Sequence, residues 1–572
     1  MSENDRVADL LEEFADRLEA MDVEFKPRAY RRAADHVREL DRPIESVAEK
    51  GVAALQGIEG VGEAIAEKIL EYLETGSIDE LEELRADLPV DMDALTRVEG
   101  IGPKRVGALY EALAIRDLDD LEREARAGAI REVEGFGETS EQNILEHLPF
   151  AREAAKRHLL YQARSLADTV LDEVGAHEAT DRCDVAGSIR RWLPTIGDVD
   201  VLVATVDAES IVADLDGFDF VAETIEAGAR KASVRNDGGI RVDFRFVDPS
   251  TFGAALQYFT GSKHHNVQVR QRAIDRGLKV NEYGVFTADD ERVAGETEAS
   301  VYEAVDLPWM APELRQGRGE LDAADAGALP DLLEESAMRG DLHTHSTWSD
   351  GSVSILEMAR GAAEYGHEYL AITDHATGPG VVADTGVPDD QLLDQRDEIE
   401  EANDETSVTL FHGVEANIAA DGSISVADDV LEQLDVVVAS PHAALSQPRD
   451  AATERLVRAI EHPSVDIIGH PTGRKLGQRP GLPIDIERVA TAAADEGVAL
   501  EINSHPVRLD LDGELVRTAV EQGATVVIST DAHVPHELDL RRYGVHTARR
   551  GWCSSDDVLT SWPVDDVRSF LG

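Results

Sequence analysis

The stretch Val185–Val203, VAGSIRRWLPTIGDVDVLV, decides how the rest of the chain is read. Gly187 and Ser188 offer a tight turn whose backbone N–H groups and single hydroxyl suit phosphate oxygens. Arg190 and Arg191 follow, able to fork onto a triphosphate. Asp198 and Asp200 then alternate with Val199, Val201 and Val203. A strand repeats every two residues, so both carboxylates leave one face while the valines enter the core. Neighbouring carboxylates repel unless a cation lies between them, and such oxygen donors suit Mg2+ or Mn2+, which also bind phosphates. A third acid comes from Ile240–Val247 (IRVDFRFV), where Asp243 is flanked on the same face by Arg241 and Arg245. A lone D-x-D often merely decorates a strand end. The order GS, RR, GDxD and then an isolated strand aspartate points instead to nucleotidyl transfer by two metal ions.

GSIRR, GDVDV and RVDFR, with YFTGS at Tyr258–Ser262 and NEY at Asn281–Tyr283, resemble the family X DNA polymerases in order and spacing. The resemblance implies catalytic metal ligands at Asp198, Asp200 and Asp243, and Gly187, Ser188 and Arg191 on the incoming nucleotide's phosphates. It implies further that Tyr258 and Phe259 exclude ribose and that Asn266 touches the nascent base pair. Gly261 allows close backbone approach beside that aromatic wall. Two positions depart from the polymerase beta-like pattern: Trp192 replaces the usual Gly after the arginines, and Lys263 replaces an acid.

At 572 residues the chain is too long for one core and should form several domains. No apolar run approaches the ~18 residues of a membrane span, and the first residues lack a signal-peptide pattern. Cys183 and Cys553 form no disulfide framework or zinc-finger spacing. A soluble, cytoplasmic monomer is expected. The net charge of −60 is unusual for a DNA-binding chain, but the acids are spread through every segment and arginine nearly replaces lysine. In a salt-rich cytoplasm of ~1 M the Debye length falls to about 3 Å, so repulsion from DNA is screened. The charge reads as a halophile's surface adaptation.

The N-terminal part carries a basic helix around Arg28–Arg32 and then an internal repeat. GIEGVGEAIAEKI (Gly57–Ile69), RVEGIGPKRVGAL (Arg97–Leu109) and EVEGFGETSEQNI (Glu132–Ile144) share E-G-apolar-G before an amphipathic helix. Such glycine pairs open a helix whose amides can grip a DNA backbone phosphate without reading bases. Gly60, Gly62, Gly100, Gly102 and Lys104 are the candidate contacts, and the three segments resemble helix-hairpin-helix elements. The third lacks nearby basic residues and reads as structural. Lys68 stands where polymerase beta-like enzymes carry the Schiff-base lysine that removes a 5′ sugar phosphate; an ordinary exposed helix lysine is the alternative.

From Arg339 onward short apolar runs alternate with helical segments, the pattern of a parallel α/β barrel. Six of seven runs end in potential ligands: GDLHTHS, YLAITDH, TLFHGVEANI, DVVVASPH, VDIIGHP and VVISTDAH. The seventh, VALEINSH, ends at Asn503 and His505, which read as pocket lining. Strand ends converge on one barrel mouth, so these side chains should meet. Imidazole with carboxylate suits two or three Zn2+, Mn2+ or Fe ions. HTHSTWSDG (His343–Gly351) and ITDH resemble the polymerase and histidinol phosphatase (PHP) domain. That resemblance implies nine ligands: His343, His345, Asp350, His375, Glu415, His442, His470, Asp531 and His533. Arg474 and Arg508 are candidate phosphate clamps.

The expected layout is a helical helix-hairpin-helix region at 1–80, a helical DNA-binding subdomain at 81–148 and a nucleotidyltransferase palm at 149–248. An α+β thumb follows at 249–316, then a linker at 317–336 and a distorted (β/α)7 barrel at 337–572. The two halves together resemble a prokaryotic family X polymerase with a C-terminal phosphoesterase barrel. That implies gap filling with dNTPs on gapped or nicked DNA, with 3′-5′ exonuclease or 3′-phosphoesterase activity and abasic-site incision in the barrel. The rival readings are a 3′-end-processing nuclease whose polymerase half only grips DNA, and a non-catalytic DNA scaffold.

Overall fold

The computed structural model describes the whole chain except residues 1–2, 24–25, 39, 41–43, 49, 59, 99, 155–156, 379 and 381–384. Glu59 and Glu99, the acids of the first two repeats, therefore lie outside the described residues. The chain divides into two compact units. The first, residues 1–157 with 477–480, is helical in its N-terminal part and holds two apolar cores. One core gathers Leu11, Phe14, Ile44, Leu55 and Ile69, and the other gathers Leu95, Val98, Ile101, Leu109 and Ile130.

The repeat explains the local structure. Gly60, Gly100 and Gly135 occupy the same place in each copy and all have left-handed φ, 75°, 84° and 85°. A side chain is disfavoured there. Gly62 and Gly102 then cap the helices Glu63–Thr75 and Pro103–Leu113 without any side-chain capping bond, which leaves the first helical amides to an outside acceptor. Where sequence periodicity predicts one helix over 150–174, the backbone instead forms Glu138–Ala154 and, separately, Leu160–Ala176.

The second unit contains the palm, the thumb and the barrel. The palm sheet uses β1 (Arg182–Val185), β2 (Val199–Ala204), β3 (Glu223–Gly228), β4 (Lys231–Arg235) and β5 (Arg241–Val247), in the order β1-β2-β5-β4-β3. Only β2 and β5 run parallel, and their register sets Asp200 directly beside Asp243. Behind them Val199, Val201, Val203, Val242 and Phe244 are buried against the helix Leu160–Ala176. Two barrel residues, Leu509 and Tyr543, complete this palm core.

The thumb places the helices Phe252–Thr260 and Lys263–Asp275 beside a small antiparallel sheet of β6 (Lys279–Asn281), β7 (Gly284–Phe286) and β8 (Arg292–Ala294). The expected linker at 317–336 is not a loose connection. Its helix Glu320–Asp325 buries Glu320, which accepts from the backbone amides of Gly317 and Arg318 and bonds the buried His265 ring at 2.8 Å. Composition suggested a spacer because the Gly and Ala content is that of a linker; the buried acid is what ties it down.

The C-terminal sheet has seven parallel strands in sequence order: β9 (Gly340–Thr344), β10 (Tyr369–Ile372), β11 (Thr409–Asn417), β12 (Val436–Ser440), β13 (Ile467–Ile468), β14 (Ala499–Asn503) and β15 (Val526–Ser529). A parallel bridge between Thr344 and Ala532 joins the two edges, giving a nearly closed barrel. Each strand carries its chemistry at its carboxy end, as this architecture requires.

Candidate functional sites

In the palm, one ligand oxygen from each of Asp198, Asp200 and Asp243 lies within 4.8 Å of the others. Asp243 is buried and fixed by the Arg241 guanidinium at 2.8 Å and by the Ser233 hydroxyl, both donating to Oδ1, which leaves Oδ2 for a cation. Burial, with the charges of Asp198 and Asp243, pushes Asp200 up to about 7. Three acids this close favour either a proton or a cation, and the donor set is that of Mg2+ or Mn2+. Gly187 has φ 60°, and a Cβ there would stand 2.0 Å from the Asp200 carboxylate. The glycine is therefore what lets the candidate phosphate loop, Gly187–Arg191, lie against the three carboxylates.

The two arginines of that loop divide. Arg191 donates to the Thr260 carbonyl, its Nε is buried with no hydrogen-bond partner among the described residues, and burial pulls its pKa down to about 10. An unsatisfied guanidinium N–H beside the ligands fits an incoming phosphate. Arg190 does not share this role. Its guanidinium forks onto Glu298 at 2.7 and 2.8 Å and donates to the Thr260 hydroxyl, so it ties palm to thumb. Glu298 is shared with the fully buried Arg315. Tyr258 and Phe259 meet edge to face at 5.2 Å, and Asn266 donates to the Tyr258 carbonyl at 2.7 Å.

In the barrel, Glu415 is the hub. Its Oε1 lies 3.0 Å from His470, 3.2 Å from His442 and 3.4 Å from His343, and its Oε2 lies 2.6 Å from His375 and 3.8 Å from His345. Asp350 faces His375 and His533, each at 3.4 Å, and Asp531 faces His345 at 3.1 Å. Three overlapping groups have metal-binding spacing: His345, Asp350, His375 and His533; His343, His345 and Glu415; and His375, Glu415 and His442. All nine expected ligands converge at one mouth. Among the described residues, the buried atoms His343 Nε2, His345 Nδ1, His375 Nδ1, His442 Nε2 and Glu415 Oε2 have no partner of hydrogen-bond geometry. Orphaned imidazole and carboxylate atoms aimed at one another fit multinuclear cation binding. Burial, then the Arg508 charge, holds His470 down at about 4, so it stays a neutral donor. His470 and Asp531 both have left-handed backbone, φ 25° and 58°, strain that clusters at functional sites.

Comparisons with known proteins agree with this geometry. Family models match as helix-hairpin-helix domain over residues 2–78, SAM-like helix-hairpin-helix tandem over 92–148, DNA polymerase beta thumb over 255–316 and PHP domain over 341–505. The DNA polymerase/3′-5′ exonuclease PolX of Bacillus subtilis (strain 168) is 35% identical over 554 residues, 96% of each chain. The chain belongs to the PolX family. Barrel relatives include a probable phosphatase of Thermoanaerobacter sp. (strain X514), 30% identical over 40% of this chain and 93% of its own length. Another is a probable phosphatase of Shewanella sp. (strain MR-4), 36% identical over 35% of this chain and 77% of its own length. Among the described residues no helix is long and apolar enough to cross a membrane.

The sixth barrel strand, β14, holds more than lining. Glu501 on β14 is fully buried, bonds His343 Nδ1 at 2.7 Å and accepts from the His470 amide. A carboxylate behind a ligating imidazole orients the ring and raises its basicity. Its sequence signal was a glutamate inside an apolar run, one period from Asn503. Asn503 itself donates to Asp531 at 3.1 Å, and His505 is partly buried. Asp374 accepts from both Ser346 and Ser349 and from Gln395, so it pins the loop bearing Asp350 instead of facing the ligand cluster. Arg474 is spent on the carbonyls of Arg508 and Leu509 and on Asp512, which removes it as a phosphate clamp. Arg508, 3.5 Å from Asp531, remains at the mouth.

In the first unit, Tyr30 stacks on Phe14 at 4.5 Å and Arg31 pairs with Asp16 and Glu19, so this helix is partly committed to its own core. Lys104 is exposed and pairs with Asp22 at 2.8 Å, an interaction weak enough to exchange for a phosphate. Arg105 donates to the carbonyls of Gly100 and Gly135 and covers Phe136, joining the second and third hairpins. Lys68 pairs with Glu80 at 2.7 Å; burial lowers its pKa, but Glu80 and Tyr30 outweigh that and raise it. A Schiff-base lysine must instead release its proton near neutrality. Borohydride treatment on an incised abasic site is therefore expected to trap no adduct at Lys68; a covalent product lost in Lys68→Ala would reverse this assignment.

Proposed function

We propose that this chain fills short gaps in damaged DNA with dNTPs and uses its barrel to clean the 3′ end first, in base-excision repair. The observation that carries the reading is the lateral pairing of Asp200 with Asp243, which gathers three carboxylates beside the Gly187–Arg191 turn. Asp198 and Asp200 would hold Mg2+ or Mn2+, with Asp243 poised near the primer 3′-OH. The chemistry such cations would supply is neutralisation of developing phosphate charge and stabilisation of the attacking alkoxide. Gly187, Ser188 and Arg191 would receive the triphosphate, while Tyr258, Phe259 and Asn266 border the sugar and base pair. In the barrel the nine ligands would hold two or three Zn2+, Mn2+ or Fe ions, which activate water for attack on phosphorus. Asp350 and Glu415 keep the imidazoles oriented, and Arg508 supplies a positive group at the mouth. Removal of a 3′ nucleotide or 3′ phosphate fits that donor set, and abasic-site incision would be the same kind of hydrolysis on another phosphodiester. Gly60, Gly62, Gly100, Gly102 and Lys104 would hold the DNA backbone. The acidic surface suits work at high salt.

One experiment tests both centres. A gapped duplex with a 3′-phosphate block is incubated with Mn2+ and dNTPs across ~0.1–3 M KCl, a range set by where screening of the surface charge saturates. Unblocking followed by extension, strongest at high salt, is expected. Extension of an open primer without unblocking would sink the barrel assignment, and unblocking without extension would sink the palm assignment.

A further inference from the structure

Trp192 follows Arg191 directly and stands where polymerase beta-like chains usually have glycine. Its φ of 54° is in the region that favours glycine, so a bulky residue there needs packing to hold it. The packing is present. The indole stacks on the His546 ring at 3.5 Å and 7°, and the Arg164 guanidinium lies 3.9 Å from the indole centre. Two planar groups this close cannot share one face, so the ring is sandwiched. Tyr543 meets it edge-on at 5.9 Å.

The two sides of the sandwich come from different domains. Arg164 belongs to the palm helix Leu160–Ala176 and also donates to the Ile189 carbonyl inside the phosphate loop. His546 and Tyr543 belong to the barrel helix Arg541–Arg550. That helix is itself anchored: a Cβ on Gly544 would strike the Ser504 hydroxyl at 2.2 Å, and His546 and Arg549 both reach Glu313 Oε1 at 2.7 Å. Glu313 lies in the turn Pro312–Leu314 that ends the thumb. The loop that presents Arg191 is thus wedged between palm, thumb and barrel.

We infer that Trp192 is a positioning residue through which the barrel helix Arg541–Arg550 holds the phosphate loop, making the barrel a structural component of the polymerase site. The inference rests on the palm reading above. Trp192 touches no substrate; it acts by fixing the backbone that aims Arg191.

The test is steady-state gap filling on an open primer by the full chain, with KM for dNTP and kcat read separately. Trp192→Ala is expected to raise KM roughly tenfold with kcat nearly unchanged, the pattern of lost ground-state binding. Trp192→Phe keeps a stackable ring and stays within about twofold of the parent. In an Arg191→Ala background, Trp192→Ala should add nothing, because its effect travels through the missing guanidinium. Removal of a 3′ block should be unaltered. Unchanged KM in Trp192→Ala, or an equal further loss in the Arg191→Ala background, overturns the inference. Should Trp192→Ala not fold, His546→Leu removes the stacked imidazole together with its bond to Glu313, and an unchanged KM there overturns it equally. A parent chain that trims but never extends would instead refute the palm reading, and this inference with it.

Discussion

Replacing both Asp198 and Asp200 by alanine is expected to abolish gap filling while leaving 3′-end hydrolysis within about twofold of the parent. Two separate carboxylate clusters are present, one at palm strands β2 and β5 and one at the barrel mouth, and each is proposed to serve one activity. Cation stabilisation of a transferring phosphoryl group is worth several kcal/mol, so the loss should reach at least about 10³-fold. The same substitution should not destabilise the chain. Asp200 is raised from 3.8 to about 7 by burial and by its acidic neighbours. A carboxyl with a raised folded-state pKa binds its proton more tightly when folded, so its contribution to stability falls as pH rises from about 3.8 to about 7. Above that window the charge is an unrelieved penalty, which alanine removes. At pH 8 with chelator, the double variant should melt at or above the parent temperature, read by calorimetry. Surviving gap filling would show that these aspartates are not the catalytic ligands.

What the sequence disclosed follows the distance over which each residue acts. The palm was legible because its signal is local: a two-residue period put Asp198 and Asp200 on one face, and an isolated aspartate in a second apolar strand had few other uses. The barrel was legible because seven strand ends must share one mouth, so ligand-bearing run ends had to meet. Roles set by partners far along the chain were not. Arg190 and Arg191 look equivalent in GSIRR, and Glu298, more than a hundred residues on, is what withdraws Arg190 from the phosphates. Arg474 seemed free until the carbonyls of Arg508 and Leu509 took it. Glu501 hid inside a run whose end residues drew attention, since only the closed barrel reveals that it backs His343. Glu320 similarly converts an apparent spacer into a packed segment. Trp192 read as an anomaly because its partner His546 lies in the other half of the chain.

The barrel's counterpart variant is Glu415→Gln, which should drain the metal site while sparing the palm. One carboxylate at zero exposure faces five imidazoles, with both oxygens in use. Glutamine preserves shape and volume, so the fold should persist, but a neutral amide offers cations one weak oxygen and turns an N–H toward donors that need an acceptor. Metal retained after dialysis, counted by elemental analysis, should fall by at least one ion per chain. Removal of a 3′ block should drop by at least about 10³-fold, and extension of an open primer should continue. Glu501→Gln provides the graded comparison. Its amide oxygen can still accept from His343 Nδ1 while its NH2 turns toward the His470 amide, so His343 orientation and basicity weaken and the His470 backbone loses an acceptor, a loss of about 10–100-fold in metal affinity. The order matters more than either value: Glu415 must fall further than Glu501 in both metal content and hydrolysis. Equal losses would mean that the carboxylate behind His343, and not the hub between the imidazoles, governs the site.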